Sequence, residues 1–599
     1  MSDKTIDQAL LTTSKSLNLF GRAFPKRELE LGFPRSPTSK RVKKPETSIS
    51  SITRSLRELG QNNYSALEKI KKDLYCLNAY PVSYKQRMEL TVLYWKHIYT
   101  VAMSLNLTYS KQGIMPDDRQ RAQLLDLCGD NLRLIRRSYE LLFMHDYSLP
   151  NWRYGKARAQ IFESSFRIME IVHLELQLAA LRYRPLSAGS WQSLNKIFYI
   201  MDAYEHVEFE QVLTQSVIQP GATKKYGTIR GFYLRVQLAG YFDLLHYPTQ
   251  QQKSVDSYIA AQSKAITVYE LETGAHLDGD TFIISSDQDH APRLHSHFIE
   301  QKIPGKVISI KSLKSNIATL LGELIDVAGI RDSAIGKTSG LREIPKNFAS
   351  QLYLMHDRIS DEAGDGLPFQ ARQATDILLY CGFKECFELK VDDQRPPEQR
   401  RVLAEALAER SSFIGEDQHS EANTLWHKLF SDSETILLQT EETRYSIQMS
   451  VGWITAYSFA SDRGRLHTIA TVSRLERLGN NLINVELKII ADHAEAVRFI
   501  DPNAELENAT RRKCPAFLLE ESGQWKIILH ASHYPKRLVD IHLLRNGKVF
   551  ELTLGKLQFA SQEFLVFGLL GSSLAYFDPL FKEAVAEDDK LTPDLGLMI

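Results

Sequence analysis

The chain has 599 residues, 43% hydrophobic and 10% aromatic. That is enough apolar side chain for several cores and too much for a wholly disordered chain, and the length corresponds to about three or four domains. Basic and acidic residues number 73 each, so no global field draws in nucleic acid or an anionic membrane, and no nucleic-acid partner is expected.

Residues 1–55 are rich in Ser, Thr, Pro and basic side chains (KRELELGFPRSPTSKRVKKPETSISS), the composition of a solvated tail that buries little. No charged n-region followed by an apolar h-region opens the chain, so no secretory signal is expected. From 56 to 218 the apolar residues step by three or four. Phe162, Phe166, Met169, Val172 and Leu176 are one such stripe, and Leu194, Ile197, Phe198 and Met201 another. That spacing predicts a bundle of four or five helices, broken near Pro81, Gly113–Pro116, Ser148–Pro150 and Pro185–Gly189.

Residues 219–330 read as a mixed α/β region. GTIRGFYLRVQLAGYFDLL and SVDSYIAAQSKAITVYEL are read as helices, DGDTFIISSD as a short strand, and IKSLKSNIATLLGELIDVA as an amphipathic helix ending at Gly329. A linker is expected over 331–371. Beyond it the period becomes two. TDILLYCGFKECFEL reads as strand, 395–430 as a helical insert, and the segments from TILLQ to LINVELKIIAD as strands with a hairpin at Gly479–Asn481. Residues 372–505 are thus an antiparallel barrel, 506–578 a second β-rich segment, and 579–599 an acidic tail. The longest apolar run, FLVFGLLGSSLAYF, has 14 residues. A bilayer of about 30 Å needs more, so the run is read as a closing strand and no membrane span is expected. The fold class is α+β and multidomain.

Gly336-Lys337-Thr338 suggests a phosphate loop, but G-x-x-x-x-G-K-[ST] needs its first glycine where Arg331 stands, and the loop follows a helix instead of a strand. His276, Asp278, Asp280, Asp287, Asp289, His290, His295 and His297 include metal-ligand types, yet they flank a strand as turn residues and show no fixed ligand spacing. Five cysteines, Cys76, Cys128, Cys381, Cys386 and Cys514, form no C-x-x-C pair and read as reduced thiols of a cytoplasmic protein, with no metal site. No G-x-S-x-G, kinase or dinucleotide signature is present, and no catalytic residue is assigned.

The stretches TDILLYCGFKECFEL, ETILLQTEETRYSIQMSVGWITAYSF and LHTIATVSRLERLGNNLINVELKIIADHAEAVRF resemble the atypical PilZ-containing regulatory proteins of gammaproteobacteria. The helical stretch SSFRIMEIVHLELQLAALRYRPLSAGSWQSLNKIFYIMDAYE is similar to their N-terminal region. The resemblance implies a six-stranded barrel, cyclic di-GMP as ligand, a non-enzymatic signalling role in surface motility or attachment, and a protein partner. Typical members carry R-x-x-x-R before the first strand, where planar guanidinium forks meet phosphate and guanine. A later [DN]-x-S-x-x-G strand lets the ligand approach the backbone at its glycine. This chain departs from both. Arg372 stands just before the first strand, with Arg358 and Arg342 further back. Gln439 stands for the Asp or Asn, Glu441 for the Ser and Arg444 for the Gly. Two acids, Glu441 and the adjacent Glu442, beside a dianion cost about 1 kcal/mol or more each when partly desolvated. The implied ligand set is Arg358, Arg372, Gln439, Glu441 and Arg444. The alternatives are a protein–protein scaffold that binds no nucleotide and a metal-dependent hydrolase built on the His276–His297 cluster.

Overall fold

In the computed structural model the described residues run from 43 to 569. The longest intervals outside the description are 113–118, 204–209, 214–223, 271–279, 293–305, 327–354, 357–375, 395–423, 460–466, 501–512 and 534–539. The chain divides into two units: 1–114, 118–243 and 259–310 form the first, and 115–117, 244–258 and 311–599 the second.

Among the described residues the first unit begins with six helices, α1 (Ile49–Glu58), α2 (Asn63–Ala79), α3 (Tyr84–Gln112), α4 (Arg119–Tyr147), α5 (Gly155–Leu181) and α6 (Ser190–Ala203). The tail expected to reach residue 55 therefore gives way to helix at 49, where Ser48 Oγ accepts the Ser51 N–H at 3.3 Å. The hydroxyl supplies an acceptor that the first turn lacks, so the helix can start on a polar stretch. Asn62 caps α2 in the same way, at 3.1 Å from the Ser65 nitrogen. Helix α5 is buried almost all round, with the run from Phe166 through Val172, Arg167 and Glu170 included, buried without a break, which makes it the bundle's central element.

A two-stranded ribbon, β1 (Glu210–Leu213) with β2 (Lys224–Thr228), leads to α7 (Ile229–Tyr241). Helices α6 and α7 pack closely because Gly240 has no side chain. A Cβ there would meet the Trp191 ring at 2.2 Å. The Phe198 and Tyr233 rings stack at 3.7 Å between centroids. Helix α8 (Thr249–Gln262) ends before β3 (Thr267–Glu270), so the segment read as one helix through Leu271 is helix followed by strand. Strands β4 (Thr281–Ile284) and β5 (Lys306–Ser309) complete a sheet of order β3-β5-β4. Helix α9 (Lys311–Asp326) opens the main part of the second unit.

That unit holds two closed six-stranded barrels. The first has the order β10-β11-β8-β7-β6-β9 and the second β12-β13-β14-β17-β16-β15, with every neighbouring pair antiparallel. Their strands are β6 (Asp376–Cys381), β7 (Thr424–Ser431), β8 (Thr435–Glu441), β9 (Ile454–Phe459), β10 (Thr468–Arg477) and β11 (Leu482–Ala491), then β12 (Ala494–Ile500), β13 (Lys513–Glu521), β14 (Gln524–His530), β15 (Asp540–Arg545), β16 (Lys548–Ala560) and β17 (Phe564–Leu569). Closure leaves no strand edge unpaired.

Three expectations change here. TDILLYCGFKECFEL is not all strand: it is β6, then helix α10 (Phe383–Asp393). Gly382, at φ +103°, turns the chain between them, a conformation that L side chains avoid. Phe383, Cys386 and Phe387 share a helical stripe that reads as alternation over so short a run. The helical insert does not extend to 430, because 424–431 is β7, paired with β6 and β8 and carrying the buried Trp426. The second barrel starts at Ala494, inside the segment assigned to the first, and only residues 492–493 separate β11 from β12.

Candidate functional site

Strand β8 alternates cleanly: Ile436, Leu438 and Thr440 are buried, while Gln439 and Glu441 lie on the opposite face. Gln439 is committed to a neighbour, its Nε2 donating to Asn484 Oδ1 at 2.8 Å across the β8–β11 pair. Glu441, exposed at the strand end, offers its carbonyl to Ser446 Oγ at 3.2 Å. Ser446 Oγ also accepts the Thr443 N–H at 2.7 Å. Arg358, Arg372, Arg444 and the whole Gly329–Gly340 loop lie outside the described residues. The structure thus puts Gln439 and Glu441 on one face of one strand.

This end of the barrel also holds Arg477, at the end of β10, with Nε 3.5 Å from Glu442 Oε1. Together with Asn484 it is the part that the sequence reading missed. The available signal was the Gly479–Asn481 hairpin, which folds β10 back onto β11. It places Arg477 opposite Ile483, next to the Asn484 that pairs with Gln439.

The richer polar arrangement lies where the two barrels meet, around α10. Phe383, Cys386 and Phe387 enter a shared apolar cluster with Ile454, Ala456 and Ile469 of the first barrel and Phe517, Leu519, Ile528, Phe564 and Val566 of the second. Beneath the N-terminus of α10 sits Glu563, from the β16–β17 turn. Its Oε1 accepts the Phe383 N–H at 2.6 Å and its Oε2 the Ile454 N–H at 2.8 Å. One carboxylate from the second barrel therefore satisfies two backbone donors of the first, one of them at a helix start where the dipole favours negative charge. Burial nevertheless raises its pKa, nearby Glu385 adds to the rise, and the two N–H groups only partly offset it. Burial likewise pushes the Cys381 thiol up to about 12, with Glu563 and Glu385 contributing. Burial raises the Cys386 thiol well above its ordinary value too, so neither is a thiolate nucleophile at neutral pH.

The C-terminal end of α10 is tied down differently. Asp393 Oδ2 accepts the backbone N–H of His467 at 2.9 Å, and its Oδ1 lies 2.9 Å from His467 Nδ1. Lys390, almost fully buried, sits 3.0 Å from the same carboxylate and donates to the His467 carbonyl at 2.9 Å. Burial pushes Asp393 up, but His467 and Lys390 outweigh it and hold the carboxyl below the usual aspartate value. Gln394 then reaches the second barrel, donating to the Ala496 carbonyl at 3.0 Å.

In the helical unit the α5–α6 turn is held by a buried guanidinium. Arg136 donates to Glu175 Oε1 at 3.2 Å and to the Gly189 carbonyl at 3.0 Å. Ser190 and Ser193 donate to Glu175 at 2.8 Å and to Glu140 at 2.7 Å. Asp289, a member of the histidine–aspartate cluster, caps α6: its carboxylate accepts from Gly189 N at 2.7 Å and Gln192 N at 3.2 Å. His290 Nδ1 lies 2.7 Å from the Ala291 carbonyl. His276, Asp278, Asp287, His295 and His297 lie outside the described residues, among which no cluster suited to a metal ion is found. Among the described residues, too, no helix is long and apolar enough to cross a membrane.

Residues 50–272 match the family described as the cyclic-di-GMP receptor FimW, N-terminal domain. The match covers α1 to α8 and β1 to β3, and leaves both barrels outside it. No curated protein and no solved structure matches the chain.

Proposed function

We propose that this chain is a non-enzymatic, cytoplasmic receptor for cyclic di-GMP, in which residues of the first barrel and of the sequence ahead of its first strand bind the ligand and the helical unit passes the state to a protein partner in surface motility or attachment. The observation that carries the reading is the conjunction of a receptor-type N-terminal match over 50–272 with closed six-stranded antiparallel barrels beyond it. The ligand set is Arg358, Arg372, Gln439, Glu441 and Arg444. Guanidinium groups would take the phosphates, since a planar fork binds a phosphodiester through two parallel donors. Gln439 offers an amide in place of a carboxylate, which removes one repulsive charge, but it must give up its bond to Asn484 to turn toward a guanine edge. Binding would then act as a ligand-driven population shift passed from the barrel to the helical unit.

Isothermal calorimetry of the full chain with cyclic di-GMP tests the reading. Saturable heat in the micromolar range is expected, with a loss of about ten-fold or more for Arg372→Ala and Arg444→Ala, since a charge-assisted hydrogen bond contributes about 1.5–3 kcal/mol. No heat and no thermal shift at millimolar ligand would leave the scaffold reading, which the departures from the ligand motif favour: the chain would then dock a protein and bind no nucleotide.

A further inference from the structure

Helix α3 carries a polar stripe that the receptor reading does not use. Arg87, Thr91 and Trp95 are spaced by four, so their side chains leave successive turns within an arc of about 80°. All three are buried, at 8%, 0% and 0% exposure. Each has a hydrogen-bonding atom without a partner: Arg87 Nη1, Thr91 Oγ1 and Trp95 Nε1. Buried polar atoms are nearly always satisfied, so three in one stripe call for a reason.

Residues of the same kinds elsewhere in the molecule show what is unusual here. Among the described residues the other buried arginines each face a carboxylate: Arg136 has Glu175, Arg167 has Glu170, Arg182 has Asp126 and Arg477 has Glu442. Arg87 has no such partner among them. Its Nη2 donates to the Tyr80 carbonyl at 3.2 Å. Asp146, the buried acid near the start of α3, is taken by Tyr84 at 2.7 Å and by His145. Burial and a like charge, the Arg137 guanidinium of α4, bring Arg87 down to about 10, and Arg137 itself holds Glu140 at 3.2 Å. Helical hydroxyls elsewhere fall back on the carbonyl four residues earlier, as Thr100, Ser165, Ser257 and Thr319 do at 2.8–2.9 Å. The Thr91 hydroxyl does not.

We propose that Arg87, Thr91 and Trp95 form a binding site for a phosphate-type oxyanion in the helical unit. Guanidinium and indole N–H groups only donate, and a hydroxyl donates as readily as it accepts, so the stripe suits a group that only accepts. Donors from successive turns approach from different directions. That fits the tetrahedral spread of phosphate oxygens better than a planar carboxylate. Arg87 supplies the charge, and its charge-assisted bond is the strongest of the three. Entry is at the α2–α3 connection, where the Tyr80 carbonyl meets Arg87 and where Pro81 and Ser83 are exposed. These residues belong to the first unit and the cyclic di-GMP set proposed above to the second, so the two sets are distinct.

Thermal unfolding of the full chain, followed by circular dichroism, tests this with inorganic phosphate against sodium acetate at matched ionic strength. Phosphate is expected to raise the melting temperature saturably, by roughly 3–6 °C once it is about ten-fold above its dissociation constant. Acetate should leave it unchanged. Arg87→Met should abolish the rise, and Thr91→Val, which removes only a hydroxyl, should weaken phosphate about ten-fold. In phosphate-free buffer Thr91→Val should melt no lower than the parent, because a methyl group replaces a buried hydroxyl that has no partner. No rise in the parent, an equal rise with acetate, an undiminished rise in Thr91→Val, or a lower-melting Thr91→Val without phosphate would each overturn the proposal. Thr91→Val decides even where Arg87→Met does not fold. Cyclic di-GMP titrated into the parent and Thr91→Val tells a nucleotide's phosphodiester from free phosphate. Binding that weakens with the hydroxyl gone assigns the site to the nucleotide, and unchanged or absent binding assigns it to free phosphate. The phosphate readout stands either way, so this proposal and the receptor reading fail separately.

Discussion

The two ends of α10 solve one problem in opposite ways. At its start, Glu563 is buried among backbone donors with another carboxylate, Glu385, nearby, and its pKa rises. At its end, Asp393 is buried beside His467 and Lys390, and its pKa falls. The residue class is the same and both groups are largely enclosed, so burial alone does not set the direction. What differs is the partner: full cationic charge outweighs desolvation, whereas two N–H dipoles do not when a like charge stands near. The first end is a latch built on geometry, the second a lock built on charge.

Removing the lock should have the largest effect. Asp393→Ala leaves Lys390 buried with no carboxylate and the His467 N–H without its acceptor. A loss of about 3–5 kcal/mol is expected in urea unfolding monitored through barrel fluorescence. A loss under about 1 kcal/mol would mean that the lock contributes little. Glu563→Ala comes next, because it strips the acceptor from two N–H groups, for about 2–4 kcal/mol. Glu563→Gln keeps one acceptor oxygen and should recover roughly half of that. Equal losses in the two variants would contradict the latch geometry.

The same comparison gives opposite pH responses. Asp393 has a folded pKa below its unfolded value of about 3.9, so its contribution is fully present above that value and is lost as pH falls through the folded pKa. Glu563 has a folded pKa above its unfolded value of about 4.3, so its folded state binds the proton more tightly. Its contribution is present below that value and declines as pH rises through the folded pKa. Urea unfolding from pH 3 to 7 should therefore show Glu563→Gln improving relative to wild type as pH rises, and Asp393→Asn improving relative to wild type as pH falls below about 4. Parallel curves would refute the opposed shifts.

The smallest effect concerns the turn into the latch. Gly382→Ala forces φ +103° on an L residue and brings a Cβ to 2.6 Å from Glu385 Oε2. The Glu385 side chain can swing aside, so backbone strain dominates, at about 1–3 kcal/mol. An unchanged melting temperature would show that the turn relaxes freely.

How much of this was legible in the sequence depends on the face each segment shows to its surroundings. Strand β11 has one face toward its barrel and one toward polar surroundings, and Val485, Leu487 and Ile489 alternate with Glu486 and Lys488. Its period announces a strand. Strand β13 has Ala516 and Leu518 in the second barrel's core and Phe517 and Leu519 in the joint. Buried on both sides, it reads as a plain apolar run that no periodicity can assign. Helix α10 likewise packs Phe383, Cys386 and Phe387 against both barrels, and over so short a run that stripe is indistinguishable from strand alternation. In the ligand set, Gln439 and Glu441 could be placed on one face from the period of β8 alone, but the pairing of Gln439 with Asn484 needed the register of β8 against β11.

The sequence by itself determined the α+β class, the helical start, the change of period after residue 370 and the antiparallel hairpins, because these follow from contacts within a few residues. Tertiary structure alone decided that there are two closed barrels, that β12 begins the second only two residues after β11 ends, and that Glu563 reaches Phe383 and Ile454. Glu563 meets donors 180 and 109 residues away along the chain. No local pattern encodes such a meeting, since it exists only once each barrel has closed and presented its outer face to the other.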